Sequence, residues 1–272
     1  MCIQALYTAA TGMETQQHRL DVIANNLANA NTTGFKRDRA NAEDLFYRNF
    51  MMPGAQDSTG QLTPTGIAVG LGSRIQSVQT DFAEGVLKET QRPLDVAIKG
   101  QGFLQVIDPS SQTIVYTRAG NLAVNANGDL VVGSAQTGRL VEPQLNFPPQ
   151  TIASNIVISP EGIVQITEPG NPTPTTIGQI QLANFTNPDG LLKLGENLYA
   201  ATDASGPATQ GIPGSLGTGL GVLQQRFLEG SNVQPVEELI DLITTQRSFE
   251  LNSQAVQAGD QILQLIANLR RF

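Results

Sequence analysis

Two helix-patterned segments, one at each end of the chain and separated by its whole middle, constrain this sequence more than anything between them. In residues 1–31, Ile3, Leu6, Ala10, Met13, Gln17, Leu20, Ala24 and Leu27 step by alternate threes and fours. Their average period of about 3.5 is the narrow seam of a coiled coil, with Gln17 its polar member. The helix is expected to stop within Asn29-Ala30-Asn31-Thr32-Thr33-Gly34, because Asn and Gly supply the left-handed backbone that closes a helix. At the other end, over residues 232–271, Leu242, Phe249, Val256 and Leu263 repeat at heptad spacing, with Ala255, Ile262 and Leu269 as a second stripe beside them. Ser231 or Asn232 is placed to cap this helix, and Pro235 suits its first turn. Glu237 and Glu238 face the positive end of its dipole, and Arg270 and Arg271 the negative end. At ~1.5 Å per residue such a helix spans about 60 Å, longer than a middle domain of this size is wide. Both seams are therefore expected to find their apolar partners outside the globule, and the competing reading is an ordinary two-helix hairpin within it.

Between the helices the texture changes to short β-patterned runs in a Gly/Pro/Thr-rich background. Leu94–Ile98, Phe103–Ile107 and Thr113–Thr117 read as strands. Leu122–Asn125 and Leu130–Val132 flank Asn127-Gly128, a strong hairpin signal, and Ile156–Ser159 and Ile163–Thr167 flank Pro160-Glu161-Gly162. Met51–Ser73, Glu168–Gly178 and Asp203–Gly221 read as loop-rich. The fold class expected is α+β, with four regions: an N-terminal helix (1–35), an extended Gly/Pro-rich linker (36–75), a β-rich domain (76–231) and a C-terminal helix (232–272).

The residue inventory argues against most chemistry. The one histidine, His18, lies inside the N-terminal helix and reads as a polar surface residue, so a Ser-His-Asp triad or a histidine-rich metal site is not expected. The single cysteine, Cys2, allows no intrachain disulfide and no thiolate cluster. Gly100-Gln101-Gly102 follows a strand but precedes another, where a dinucleotide fingerprint needs a helix, and Gly217-Thr218-Gly219-Leu220-Gly221 has the wrong spacing. Asp95, Asp108, Asp129, Glu142 and Glu161 leave a carboxylate pair possible, as in a secreted cell-wall hydrolase, but with no Trp a sugar-stacking cleft is poorly supplied. A net charge of -8 with scattered basic residues opposes nucleic-acid binding. Only 15% of residues are charged, against roughly 25% in ordinary soluble domains, so the polar surface is mostly Gln, Asn, Thr and Ser, suited to contact with other protein copies. No run approaches the ~18 apolar residues of a membrane-spanning helix. The first 18 residues carry no Lys or Arg and no long apolar core, so no cleavable signal peptide is expected. Neither catalysis nor a cofactor or metal is expected.

Beyond these patterns the chain carries specific words. Ala24-Asn25-Asn26-Leu27-Ala28-Asn29, continued by Thr33-Gly34-Phe35-Lys36, resembles the N-terminal signature of bacterial flagellar rod and hook proteins. The resemblance continues in Val96–Phe103 and Tyr116-Thr117-Arg118-Ala119-Gly120, then in Gly230-Ser231-Asn232-Val233 and Thr245-Gln246-Arg247-Ser248-Phe249-Glu250. It covers nearly the whole chain in the family's order. Ala5–Met13, Met52–Gln56 and Gly195–Tyr199 look like the distal-rod branch, while Cys2 and Leu104 depart from the family's usual aliphatic and Phe.

The resemblance implies a structural subunit whose terminal helices pack coaxially with those of other copies into the inner tube of a rigid, hollow, helical drive shaft. Its β-rich domain decorates the outside, and the shaft passes motor torque to hook and filament. Ile3, Leu6, Met13, Leu20, Leu27, Leu242, Phe249, Val256, Ile262, Leu263 and Leu269 would form the subunit contacts. Implied partners are further copies of the chain, proximal rod proteins, the hook protein, surrounding basal-body rings and the flagellar type III export apparatus. Neither nucleic acid nor membrane insertion is implied. The implied location is the periplasmic rod of the basal body. Another rod or hook member of the family is the alternative, and the cell-wall hydrolase a more distant one.

Overall fold

The computed structural model describes residues 2–54, 56, 61–62, 64–109, 111–133, 138–148, 151–167, 173–215, 217 and 219–269. Arg270 and Arg271 lie outside the described residues, as do the side chains of Cys2, Ile3 and Leu269 and parts of all three loop-rich stretches. The chain folds as two units. Unit 1 comprises residues 1–28, 38–80 and 234–272, and unit 2 comprises residues 29–37 and 81–233.

Unit 1 is built on α1 (Cys2–Ala28) and α2 (Pro235–Leu269), accompanied by β1 (Asp38–Asp44), β2 (Tyr47–Met51), β3 (Ile67–Gly70) and β4 (Ser73–Thr80). Threonines inside α1 leave no orphan hydroxyl: Thr8, Thr11 and Thr15 each donate to the carbonyl three or four residues earlier, all at 2.9 Å. α2 opens on Pro235, with Gln234 supplying the first carbonyl to the Glu238 amide at 3.1 Å and Glu237 and Glu238 in the first turn. Neither Ser231 nor Asn232 caps it, contrary to expectation. The helix starts later, and the Asn232 side chain is engaged elsewhere, accepting from the Arg37 amide at 2.7 Å. The stretch expected as an extended linker carries two ribbons, β1 with β4 and β2 with β3, both antiparallel.

Unit 2 runs through β5 (Leu87–Glu89), β6 (Val96–Lys99), β7 (Phe103–Ile107), β8 (Ile114–Thr117), β9 (Leu122–Val124) and β10 (Leu130–Val132). It continues through β11 (Arg139–Glu142), β12 (Ile156–Ile158), β13 (Ile163–Ile166), β14 (Thr175–Gln179) and β15 (Leu182–Asn184). β16 (Leu192–Gly195), β17 (Leu198–Ala200), β18 (Thr209–Gly211), β19 (Val222–Gln225) and β20 (Phe227–Glu229) complete it. The main sheet is antiparallel in the order β16-β17-β8-β7-β11-β10-β9, with β15 also on β7 and β18 on β15. Both anticipated hairpins form: β9 meets β10 across Asn127-Gly128, and β12 meets β13 across Pro160-Glu161-Gly162. Strand β18, like β3 of unit 1, falls inside a stretch read as loop-rich, and β14 does so except for its last residue, Gln179. Val96, Ile98, Leu104, Val106, Val141, Phe147, Val164, Ile180 and Leu182 are among the buried side chains of one continuous core. A second cluster is aromatic, with Phe103 meeting Phe185 edge-on at 5.8 Å and Tyr116 meeting Phe185 at 4.7 Å.

Candidate assembly surface and the buried charge knot

The two terminal seams meet each other. Asn26 in α1 bonds Glu238 in α2, Gly12 lies against Asn252, and Gly259 lies against Leu6, which makes the helices an antiparallel pair. A Cβ on Gly259 would sit 2.6 Å from a Leu6 methyl, so the Leu6 side chain packs into the space that the missing side chain leaves. Leu6, Met13, Leu20 and Leu27 on α1, and Leu242, Phe249, Val256 and Leu263 on α2, are each half-buried in this pair. The expectation that one chain cannot bury both seams is therefore corrected. A heptad stripe needs a helix opposite it, and here that helix comes from the same chain. Near the free ends the helices leave an apolar groove of about 580 Å³ lined by Leu6, Tyr7, Ala10, Met13 and Val256.

A different stripe is left open. Val236, Ile240, Ile243, Leu251, Ile262 and Leu265 of α2 are exposed, Val236 at 70% and Leu251 at 66%. At 100° per residue all six fall within about a third of a turn, opposite the seam that faces α1. Of these, the sequence reading singled out Ile262 alone. The signal was there: 236, 240, 243, 247, 251, 254, 258, 262 and 265 also step by threes and fours, with Arg247 and Gln254 interrupting the apolar members. The β2–β3 ribbon adds Phe46, Tyr47, Phe50, Met51, Ile67 and Val69, all exposed. A two-stranded ribbon is marginal in water on its own, and this one covers none of its aromatic side chains.

The signature residues divide into two kinds. Asn25, Gln246 and Arg247 are exposed, Leu27 and Asn29 half-buried. Asn26 is buried and acts as a surrogate backbone: its Nδ2 donates to the Asp38 carbonyl at 2.8 Å, and its Oδ1 accepts from the Asp38 amide at 2.9 Å. It also donates to Glu238 Oε2 at 3.2 Å, tying both helices to β1. Gly34 takes a φ of +71° with its Cα against the Ala119 amide, a place no Cβ could occupy. Phe35 is buried, with the Lys193 ammonium 5.8 Å from its ring centre.

Lys36 is fully buried. Its Nζ donates to Glu229 Oε1 and to the Ala83 carbonyl, both at 2.6 Å. The other carboxylate oxygen accepts from Arg118 Nε at 2.9 Å, and Arg118 Nη2 donates to the Gly100 carbonyl at 2.7 Å. Burial, followed by the Arg118 charge, pulls the Lys36 pKa down, and Glu229 pulls it back up. Periodicity could not have joined positions 36, 118 and 229. Outside this knot, His18 is exposed, Asp129 is held by Asn125 and Asn146, and Asp108 lies 3.7 Å from Arg139.

Comparison with known proteins covers these same segments. Residues 6–36 match the family described as flagella basal body rod protein. Residues 97–166 match the D1 domain of flagellar hook protein FlgE/F/G, and residues 224–269 match the C-terminal region of flagellar basal body rod FlgEFG proteins. The flagellar basal-body rod protein FlgG of Caulobacter vibrioides is 45% identical over 98% of this chain and 100% of its own. The chain belongs to the flagellar basal-body rod protein family, among the FlgG proteins. The FlgG protein of Borreliella burgdorferi is 42% identical over 99% of both chains. A solved structure, the Helicobacter pylori flagellar hook protein FlgE2, is similar over 71% of this chain and 43% of its own, with 13% identity and a TM-score of 0.24, too loose to carry an argument. The family is a structural rod component of the basal body, and nothing in these relatives supports the cell-wall hydrolase. Within the rod family match, residues 6–36 run from the helix seam into the Lys36 end of the charge knot. The C-terminal match begins just before Glu229 and holds the whole exposed stripe of α2.

Proposed function

We propose that this rod-family chain polymerises through unit 1 into a rigid, hollow helical shaft that passes motor torque to the hook and filament. The observation that carries this reading is the open apolar stripe of α2, backed by the uncovered aromatic ribbon β2–β3. Each already has its intramolecular contacts and still presents large side chains to water. Neighbouring copies would cover the α2 stripe and fill the groove beside Leu6 and Met13. Heterologous contacts of this kind generate an open filament when the rotation between copies does not close. In the shaft, residues 1–35 and 232–272 would form the inner tube through contacts that include Ile3, Leu6, Met13, Leu20, Leu27, Leu242, Phe249, Val256, Ile262, Leu263 and Leu269. Residues 76–231 would lie outside it, and the stretch from Phe46 to Ser73 within the 36–75 region would reach onto adjacent subunits. Proximal rod proteins, hook protein, surrounding basal-body rings and the flagellar export apparatus complete the setting, in the periplasm.

Negative-stain imaging of concentrated protein tests the reading, with straight hollow rods the expected result. Deleting residues 55–66, which lie between β2 and β3 in the sequence, should leave polymers that bend. Unchanged stiffness would remove the ribbon's role, and a chain that stays monomeric at every concentration would contradict the reading.

A further inference from the structure

The chain enters and leaves unit 2 at residues 28/29, 37/38, 80/81 and 233/234, and three of these crossings converge on the buried knot. The Glu229 carboxylate accepts from Lys36 Nζ, from Arg118 Nε and from the Gly85 amide at 2.9 Å, while its backbone carbonyl accepts from the Gly34 amide at 2.8 Å. Three residues on, Asn232 repeats the arrangement without charge. Its Oδ1 accepts from the Arg37 amide, and its Nδ2 donates to the carbonyls of Asp81 at 2.8 Å and Ala83 at 3.3 Å. Asp81 in turn donates its amide to the Arg37 carbonyl at 2.8 Å. Segments 34–37, 81–85 and 229–233 thus hold one another through polar groups, with no strand ladder of the main sheet among them.

We infer that these residues form a clasp that opens and closes as a cooperative unit of its own, separately from the sheet core, with Glu229 as its keystone. The charge count supports the keystone role. Lys36 and Arg118 are two buried cations that share the Glu229 carboxylate, and each side chain is at most 3% exposed. Without that carboxylate, docking residues 34–37 would bring one buried cation against another in a low-dielectric site. The clasp therefore stays open until residue 229 is in place, even when the strands between are formed. Core strands such as β7 are held by apolar burial and ladder bonds, which need no charge matching. The inference does not depend on whether the chain polymerises.

Native-state hydrogen exchange on the full chain tests it. In the wild type the amides of Gly34, Arg37, Gly85 and Gly230 should share one opening equilibrium, with less protection than the amides of β7. In Glu229→Gln their protection should fall together by about 100-fold or more, while β7 keeps its own. Asn232→Ala, which changes no charge, should loosen the same set by about ten-fold. A Glu229→Gln chain that loses β7 protection by the same factor, or fails to fold, would show the knot to be part of the global core and overturn the inference. So would an Asn232→Ala effect confined to the Arg37 amide.

Discussion

Unit 2 and unit 1 spend their apolar residues differently. In unit 2, Leu104, Val106, Val141 and Leu182 are completely buried, and its fully buried cations meet a carboxylate and carbonyls. In unit 1, the helices bury only one seam each, half-way, and the other side of α2 keeps Val236, Ile240, Ile243, Leu251 and Leu265 in water. Unit 2 closes a continuous core of its own, with Val86, Ile152, Leu192 and Leu194 left exposed on its surface. The other is finished as a helix pair but not as a surface, and that asymmetry is what a subunit needs if it must fold alone and then join a polymer.

If the contrast holds, the largest effect on folding should come from unit 2. Leu104→Ala leaves a cavity in a core strand and should cost about 2–5 kcal/mol, read as a lower denaturation midpoint for the unit. A cost under about 1 kcal/mol would mean that this core is looser than its burial implies. Leu263→Asp should act on the helix pair instead, because Leu263 faces α1 and is half-buried. About 2 kcal/mol of helix-pair stability should be lost, seen as faster proteolysis of both termini, with unit 2 melting unchanged. Melting of unit 2 along with the helices would break the division. Smallest is the pH effect of Lys36. Its folded pKa lies below the ordinary 10.5, so just below that value the unfolded chain holds a proton that the folded chain has released. Stability relative to Lys36→Met should rise with pH on the approach to 10.5, the sign expected when the unfolded state binds more protons. Parallel curves for the two proteins would contradict the burial argument.

Much of this was legible beforehand because it is local. The α1 seam, the α2 heptads, the Asn127-Gly128 and Pro160–Gly162 turns and the strand runs around β6, β7 and β8 depend on spacing within a few residues. What failed depends on pairing between distant segments. A period near 3.5 states that a helix has a helical partner, yet it cannot say whether that partner is the same chain, and here α1 half-buries the seam of Leu263. The outward stripe of α2 was read only at Ile262, because Arg247 and Gln254 interrupt its apolar members. The clasp was invisible for the same reason: Lys36 and Arg118 read as family words, while nothing marked Glu229 as their shared partner. Asn232 was read as a helix cap because local chemistry permits it, but the chain used its side chain to join residues 37 and 81.

The central claim is that the outward stripe of α2 serves assembly and not folding, and one paired measurement reaches it. Ile240→Asp combined with Leu251→Asp places two carboxylates on side chains that are 59% and 66% exposed. Thermal melting and polymer formation are then measured on the same preparation. The account predicts a monomer whose melting moves within about 0.5 kcal/mol of wild type, since exposed substitutions cost little, and which forms no rods at any concentration. Normal rods from the double variant, or a monomer that unfolds, would contradict it.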